Sequence, residues 1–210
     1  MLTAHWTFDP ETIKDRAALD ATGSGLTATL DASVAITPGH RAGALAFDGT
    51  GRAVIPAAPQ LVLSQLFGFS LAFFVRVDEA PTGEWRGLLY KPVADQDARG
   101  LGMWLYPDAL RIRMQLFTAK GPEYADSRRV LTLGEWAHVA MVVDPDELYL
   151  YVDGELDSAV GLENPVVTPA GPIYLGRDST GLGFTGLLDD FRVYSTALTG
   201  EQVRALASES

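Results

Sequence analysis

The chain has 210 residues, of which 47% are hydrophobic and 10% aromatic, with 16 basic against 27 acidic side chains and a net charge of −11. That charge excludes a nucleic-acid binder relying on a general positive field, and the apolar content excludes a disordered chain. At this length folding hides about 70% of the surface an unfolded chain exposes, so one core needs no metal or disulfide staple, and the sequence, which has no cysteine, offers no thiolate site either.

The N-terminus, Met1-Leu-Thr-Ala-His-Trp6, lacks a basic stretch followed by an apolar run, and no window approaches ~18 uninterrupted apolar residues. A soluble chain without membrane insertion is expected, alone or as a module of a larger exported protein. Leu45-Ala-Phe47 leads into a turn at Asp48-Gly49-Thr50-Gly51. The run Phe69–Val77 then alternates strictly, with Phe69, Leu71, Phe73, Val75 and Val77 on one side and Ser70, Ala72, Phe74 and Arg76 on the other. A helix would mix those sets, whereas a strand with one face in a core keeps them apart. Similar alternation predicts strands over 101–106, 110–116, Trp136–Val143, 148–152 and 187–194. Pro107-Asp108 marks a short hairpin, and Asp153-Gly154 suits a tight turn with positive φ. The segments 81–99 and 118–128, rich in Pro, Gly, Asp and Ala, read as two longer surface loops. Thr199-Gly-Glu-Gln202 has a capping-box spacing that predicts a helix of one to two turns at the C-terminus. With no repeat and no linker, the expectation is one domain over 1–210. Its class is all-β: a two-sheet antiparallel β-sandwich closed by a short C-terminal helix.

Six phrases resemble, in order, the laminin G-like jelly roll of the concanavalin A-like lectin and glucanase superfamily. They are Trp6-Thr-Phe-Asp9, Gly43-Ala-Leu-Ala-Phe-Asp-Gly49, Phe69–Val77, Gly134-Glu-Trp-Ala-His-Val-Ala140, Leu148-Tyr-Leu-Tyr-Val-Asp-Gly154 and Phe184-Thr-Gly-Leu-Leu-Asp-Asp-Phe-Arg-Val-Tyr194. In the third, Phe74 stands near the Trp that is usual there. The resemblance implies a structural calcium ion between the Phe-Asp-Gly turn and the closing strand, which maps onto Asp48 and Asp189, with Asp9 as a third ligand. Hard oxygen donors suit that ion. The alternative is that Asp48 only forms its turn and Asp189 only caps a strand end. Since fold does not choose function, the resemblance admits glycan binders, adhesion modules and a few enzymes.

Catalytic signatures are sparse. A retaining glucanase needs two carboxylates projecting from alternate positions of one strand, and the nearest match, Glu155-Leu-Asp157 with Glu163 beyond, lacks the third acid at the required spacing. His5, His40 and His138 show no zinc-protease spacing, and His138 reads as a hydrogen-bonded structural residue. Gly181-Leu-Gly183-Phe-Thr-Gly186 satisfies a dinucleotide-loop pattern but leads into a strand instead of a helix. Asp144-Pro-Asp146 begins like an EF-hand and then places Leu148 and Tyr149 where a ligand and Gly are required.

The positions opposite the aliphatic ones collect Phe74 and Arg76, Trp104 and Tyr106, Arg111, Arg113 and Gln115, and Tyr149 and Tyr151. Rings beside planar donors suit stacking on a sugar and hydrogen bonding to its hydroxyls. The same pairs also stabilise exposed sheets. The expectation is a non-catalytic recognition module for a glycan, with a protein-interaction or adhesion module binding through loop edges as the alternative and a glycoside hydrolase third.

Overall fold

A computed structural model describes residues 1–94, 99–179 and 181–209. In chain order the strands are β1 (Leu2–Trp6), β2 (Ile13–Lys14), β3 (Ala17–Leu19), β4 (Thr27–Leu30), β5 (Ala35–Pro38), β6 (Gly43–Asp48), β7 (Ala53–Ile55), β8 (Phe69–Val77) and β9 (Arg86–Pro92). They continue with β10 (Arg99–Leu105), β11 (Ile112–Thr118), β12 (Gly121–Asp126), β13 (Trp136–Val143), β14 (Glu147–Val152), β15 (Glu155–Gly161), β16 (Ile173–Leu175), β17 (Leu182–Gly183) and β18 (Thr185–Tyr194), followed by helix α1 (Gly200–Ala207).

They form two sheets. The first has the order β15-β14-β13-β8-β18-β6-β5, with β1 also on β18; the second runs β12-β11-β10-β9-β16-β7-β4-β3-β2, with β17 beside β9. Among the described residues every strand pairing is antiparallel except the short β17–β9 contact. The alternating residues of β8 explain the sandwich: Phe69, Leu71, Phe73, Val75 and Val77 all enter the main core between the sheets, where they meet Leu101, Met103, Ile112 and Met114 from the second sheet. Packing such faces against each other is how two half-apolar sheets leave water.

A smaller apolar cluster lies outside the first sheet. Ala72, Ala140, Val142, Tyr151 and Tyr194 pack there against Leu198 and Val203, so α1 covers that part of the face. The helix starts as its sequence predicts: the Thr199 hydroxyl accepts from the Gln202 backbone N–H at 3.2 Å, and the Gln202 side chain accepts from the Thr199 N–H at 2.9 Å. Asp153 (φ 51) and Gly154 (φ 78) take the left-handed geometry that the β14–β15 turn demands.

Two predicted loops turn out to contain strands. Within 81–99 runs β9, buried along its whole length between β10 and β16 in the second sheet. Its sequence, Arg-Gly-Leu-Leu-Tyr-Lys-Pro, does not alternate because it is enclosed on both faces and pairs with β10 through a register shift. Residues 95–98 of that predicted loop lie outside the described ones. Within 118–128, β12 is an edge strand of low intrinsic strand preference, fixed in place by its six-residue pairing with β11.

Candidate functional site

A dense collection of rings and charges lies on an open face at the β10–β12 corner of the second sheet. Trp104, Arg113 and Asp126 are register neighbours across β10, β11 and β12, and Gln115 and Tyr124 form the next row. Because side chains alternate, all of these leave the sheet on its outer side. Tyr106 follows β10 directly, and Trp85 precedes β9.

Arg113 organises this corner. Its Nε and Nη2 bind the two oxygens of Asp126 at 2.8 and 2.9 Å, and Nη2 also donates to the Tyr106 hydroxyl at 2.7 Å. The guanidinium carbon lies 4.0 Å from the centre of the Tyr124 ring, 5.1 Å from Trp85 and 5.2 Å from Tyr106. Trp85 and Tyr106 touch with centroids 4.5 Å apart, and Arg111 stacks over Tyr106 at 4.4 Å. Hydrogen bonding to Asp126 raises the pKa of Arg113. Burial opposes ionisation of Asp126, but its hydrogen bonds to Arg113 and Tyr106 outweigh that and hold the carboxyl below its usual range. The result is a charged fork fixing three rings, two of which remain open to solvent: Trp85 is 40% exposed and Tyr124 47%.

Trp104 extends the surface toward the middle of the sheet. Its ring lies over Gly102, where no Cβ would fit, and its Nε1 donates to Asp178 at 3.0 Å. Tyr90, Tyr174 and Arg52 continue the row: Tyr90 is 6.4 Å from Trp104, Tyr174 stacks on Tyr90 at 6.2 Å, and Arg52 lies 4.8 Å over Tyr174.

The predicted constellation therefore divides between two faces. Trp104, Tyr106, Arg111 and Arg113 share the outer face of the second sheet, whereas Phe74, Arg76, Tyr149 and Tyr151 belong to the first and face the opposite way. Period-two alternation separates inward from outward residues but carries no information about which sheet a strand joins. On the first sheet, Phe74 is covered by His40, stacked at 3.9 Å, and touched by His138 at 5.0 Å. Arg76 forks onto Asp78 at 2.8 and 2.9 Å. Tyr151 is buried in the cluster under α1, and the Tyr149 hydroxyl lies within hydrogen-bond reach of Asp144 and Glu147. All four thus have partners within the first sheet. Conversely, Trp85, Tyr124 and Asp126 were missed because they fall in segments lacking alternation.

A family profile described as the concanavalin A-like lectin/glucanases superfamily matches residues 47–204. The chain belongs to that superfamily. No curated protein sequence matches it. Among solved structures, domain 4 of an extracellular arabinanase from Geobacillus stearothermophilus, in complex with arabinotriose, superposes with a TM-score of 0.76 at 24% identity, covering 99% of this chain and 98% of that one. The binding domain of botulinum neurotoxin serotype G gives a TM-score of 0.81 at 13% identity, covering 99% of this chain and 50% of the other. The serotype D ligand-binding domain in complex with N-acetylneuraminic acid gives 0.77 at 13%, covering 97% of this chain and 50% of the other. The chain thus spans about half the length of the toxin domains, and these likenesses share the superfamily's fold.

The calcium site that superfamily resemblance implies is only partly assembled. One oxygen of Asp48, Oδ1, closes its own turn, accepting from the Thr50 N–H at 2.9 Å, the Thr50 hydroxyl at 2.7 Å and the Gly51 N–H at 3.2 Å. Asp48 pairs with Thr185 at the start of β18, four residues before Asp189. Asp9 and Asp189, in contrast, approach each other. Asp9 accepts from the Gly43 N–H at 3.0 Å and Asp189 from the Arg41 N–H at 2.9 Å, so both anchor the backbone at 41–43. Burial pushes the Asp189 carboxyl up to about 7, against the Arg41 hydrogen bond, and the charges of Asp190 and Asp9 raise it further. Asp189 Oδ1 is buried without a partner. Asp9 and Asp189 offer hard oxygen donors beside the 41–43 backbone, while Asp48 Oδ1 is engaged in its own turn. Among the described residues no three carboxylate or imidazole groups converge on one point.

The other singled-out residues also have structural partners. His138 is buried, and its backbone N–H donates to Asp153 at 2.9 Å, while its ring Nδ1 lacks the hydrogen bond expected of it. Asp157 accepts from the backbone N–H groups of Arg128 and Arg129 at 2.6 and 3.0 Å, and Glu155 pairs with Arg204 at 3.1 Å. Asp144 closes the β13–β14 turn by accepting from the Asp146 and Glu147 N–H groups, both at 2.8 Å.

Proposed function

We propose that this chain is a non-catalytic carbohydrate-recognition module whose ligand lies on the outer face of the second sheet, over Trp85, Tyr106 and Tyr124. One observation carries the reading: two rings 40% and 47% exposed are held rigid by Arg113, itself fixed by Asp126 and the Tyr106 hydroxyl. Apolar planes that stay exposed while their positions are fixed lose little entropy on binding, and the surrounding donors and acceptors suit ring hydroxyls. The arabinotriose and N-acetylneuraminic acid complexes of the neighbours support a saccharide ligand. In the same reading Asp9 and Asp189 hold a calcium ion that supplies charge balance to the buried Asp189. The module belongs to a larger exported protein, as the extracellular arabinanase domain does. No described helix is long and apolar enough to cross a membrane.

The test is a glycan array followed by calorimetry with Trp85→Ala and Tyr124→Ala. Each should lose about 2 kcal/mol of binding or more, as truncated aromatic anchors commonly do, with stability within ~0.5 kcal/mol of wild type because the rings lie at the surface. Unchanged affinity in both folded variants refutes this location.

A protein partner is the second reading. Leu66 and Phe67 stand side by side on a turn before β8, 73% and 75% exposed, and offer an apolar tip with no role in the core. Pull-down that survives Trp85→Ala and fails with Leu66→Ser/Phe67→Ser would favour it.

A further inference from the structure

Resting on the carbohydrate reading, we infer that the ligand is an internal stretch of an unbranched, uncharged saccharide chain laid across the strands, and neither an acidic glycan nor a chain end.

Electrostatics decide against an acidic ligand. Arg113 is the cation at the centre of the rings, and its fork already holds Asp126 in the two-point geometry a ligand carboxylate would need. A uronate or sialate carboxylate would have to displace Asp126, leaving that acid without its partner. Arg111 and Arg52 lie over the Tyr106 and Tyr174 rings, with guanidinium carbons 4.4 and 4.8 Å from the ring centres. The acids Asp126 and Asp178 belong to the same face, and the chain as a whole carries −11. A polyanion is repelled by that background, whereas neutral hydroxyls meet donors and acceptors alike.

Shape decides the rest. The open part of the row passes from Tyr124 on β12, through Arg113 on β11, to Trp104 on β10, and beyond it Tyr90 on β9 is buried. These are three adjacent strands, so the open row extends about 10 Å, two strand spacings. That length accommodates a short run of sugar units. At its outer end Tyr124 is 47% exposed on an edge strand and Trp85 is 40% exposed, so no wall encloses a terminal sugar there.

The deciding experiment is calorimetry on the intact chain with neutral arabino-, xylo- and gluco-oligosaccharides from dimer to hexamer, each with free and reduced ends. Uronate-bearing oligomers are measured alongside, at low and high salt. Affinity should rise about tenfold per added unit over the first steps, as one stacking contact per unit gives, then level off; end reduction and salt should each change it less than about twofold. A monosaccharide binding as tightly as the tetramer would overturn the internal-chain inference. Stronger, salt-sensitive binding of the uronate series would overturn the neutral one, leaving the carbohydrate reading intact. Failure of every saccharide would overturn both.

Discussion

His138 and Asp189 lie on the two strands flanking β8 and pair in register with the same residue, Phe74, one from each side. Both are buried, each keeps one ring or carboxyl atom without a partner, and their titrations are displaced in opposite senses. Burial, aided by the charge of Arg192, pushes the His138 imidazole down to about 4, and burial pushes the Asp189 carboxyl up to about 7.

The consequence is a near-cancellation that mutation should expose. Between about 4 and 6.5 the unfolded chain takes up a proton on His138 that the native chain refuses, so this residue's contribution to stability grows with pH. Between 3.8 and about 7 native Asp189 keeps a proton that the unfolded chain releases, so its contribution shrinks as pH rises. Each slope approaches ~1.4 kcal/mol per pH unit. Relative to wild type, Asp189→Asn should gain stability as pH rises from 4.5 to 6.5, and His138→Gln should lose it. Urea unfolding at steps across that window reads both, and curves parallel to wild type would show that the two groups titrate normally.

Calcium tests the same carboxylate from another side. At pH 8, millimolar calcium should raise the thermal midpoint over a chelator control, with about 2.7 kcal/mol expected at 100 times Kd. Asp189→Asn should abolish the response. Asp48→Asn should preserve it, since the amide keeps the Oδ1 acceptor that closes the turn. A wild-type protein indifferent to calcium would remove the ion from the proposal, and a response lost only in Asp48→Asn would place it at the turn.

How much of this was legible in the sequence depended on whether a residue's role was periodic. Phe69–Val77 and Trp136–Val143 are strands over the very bounds that alternation predicts, because one face of each lies in the core and the pattern is the burial itself. The capping box at Thr199 was legible for a similar reason: its chemistry is confined to four residues. The strand β9 was not, since burial on both faces erases alternation and leaves Arg86, Gly87 and Lys91 looking like loop residues. Half of the ring-bearing site was named from spacing, in Trp104, Tyr106, Arg111 and Arg113. Trp85, Tyr124 and Asp126 join it only because β9, β10, β11 and β12 pair in series, which neither their own segments nor any motif records.

Trp104 tests whether its ring serves packing or ligand. It lies over Gly102 and donates to Asp178, yet is not fully buried. Trp104→Ala should therefore cost roughly 1–3 kcal/mol of stability, below the ~3–5 kcal/mol of a fully buried ring. Trp104→Phe, which keeps the plane and deletes the N–H, should keep most glycan affinity. Loss of binding in Trp104→Phe equal to that in Trp104→Ala would mean that the hydrogen bond to Asp178, and not the plane, shapes the site.

The fork between Arg113 and Asp126 makes the sharpest distinction between charge and geometry. Arg113→Lys keeps the positive charge but has one ammonium where the fork has two donors for Asp126 and one for Tyr106. A partly exposed ion pair contributes little by itself, so stability should fall by only about 1 kcal/mol. Affinity for a neutral oligosaccharide should fall more, by tenfold or so, because Trp85, Tyr106 and Tyr124 lose the plane that sets their positions and must be ordered by the ligand instead. Asp126→Asn should act in the same direction, since a freed guanidinium moves out of the rings toward solvent, and it should also raise the affinity for uronate oligomers by vacating the fork. Calorimetry on both variants beside urea unfolding separates the two effects. If Arg113→Lys binds as wild type does while losing the same stability, the rings hold themselves in place, and the fork is an ordinary cross-strand pair.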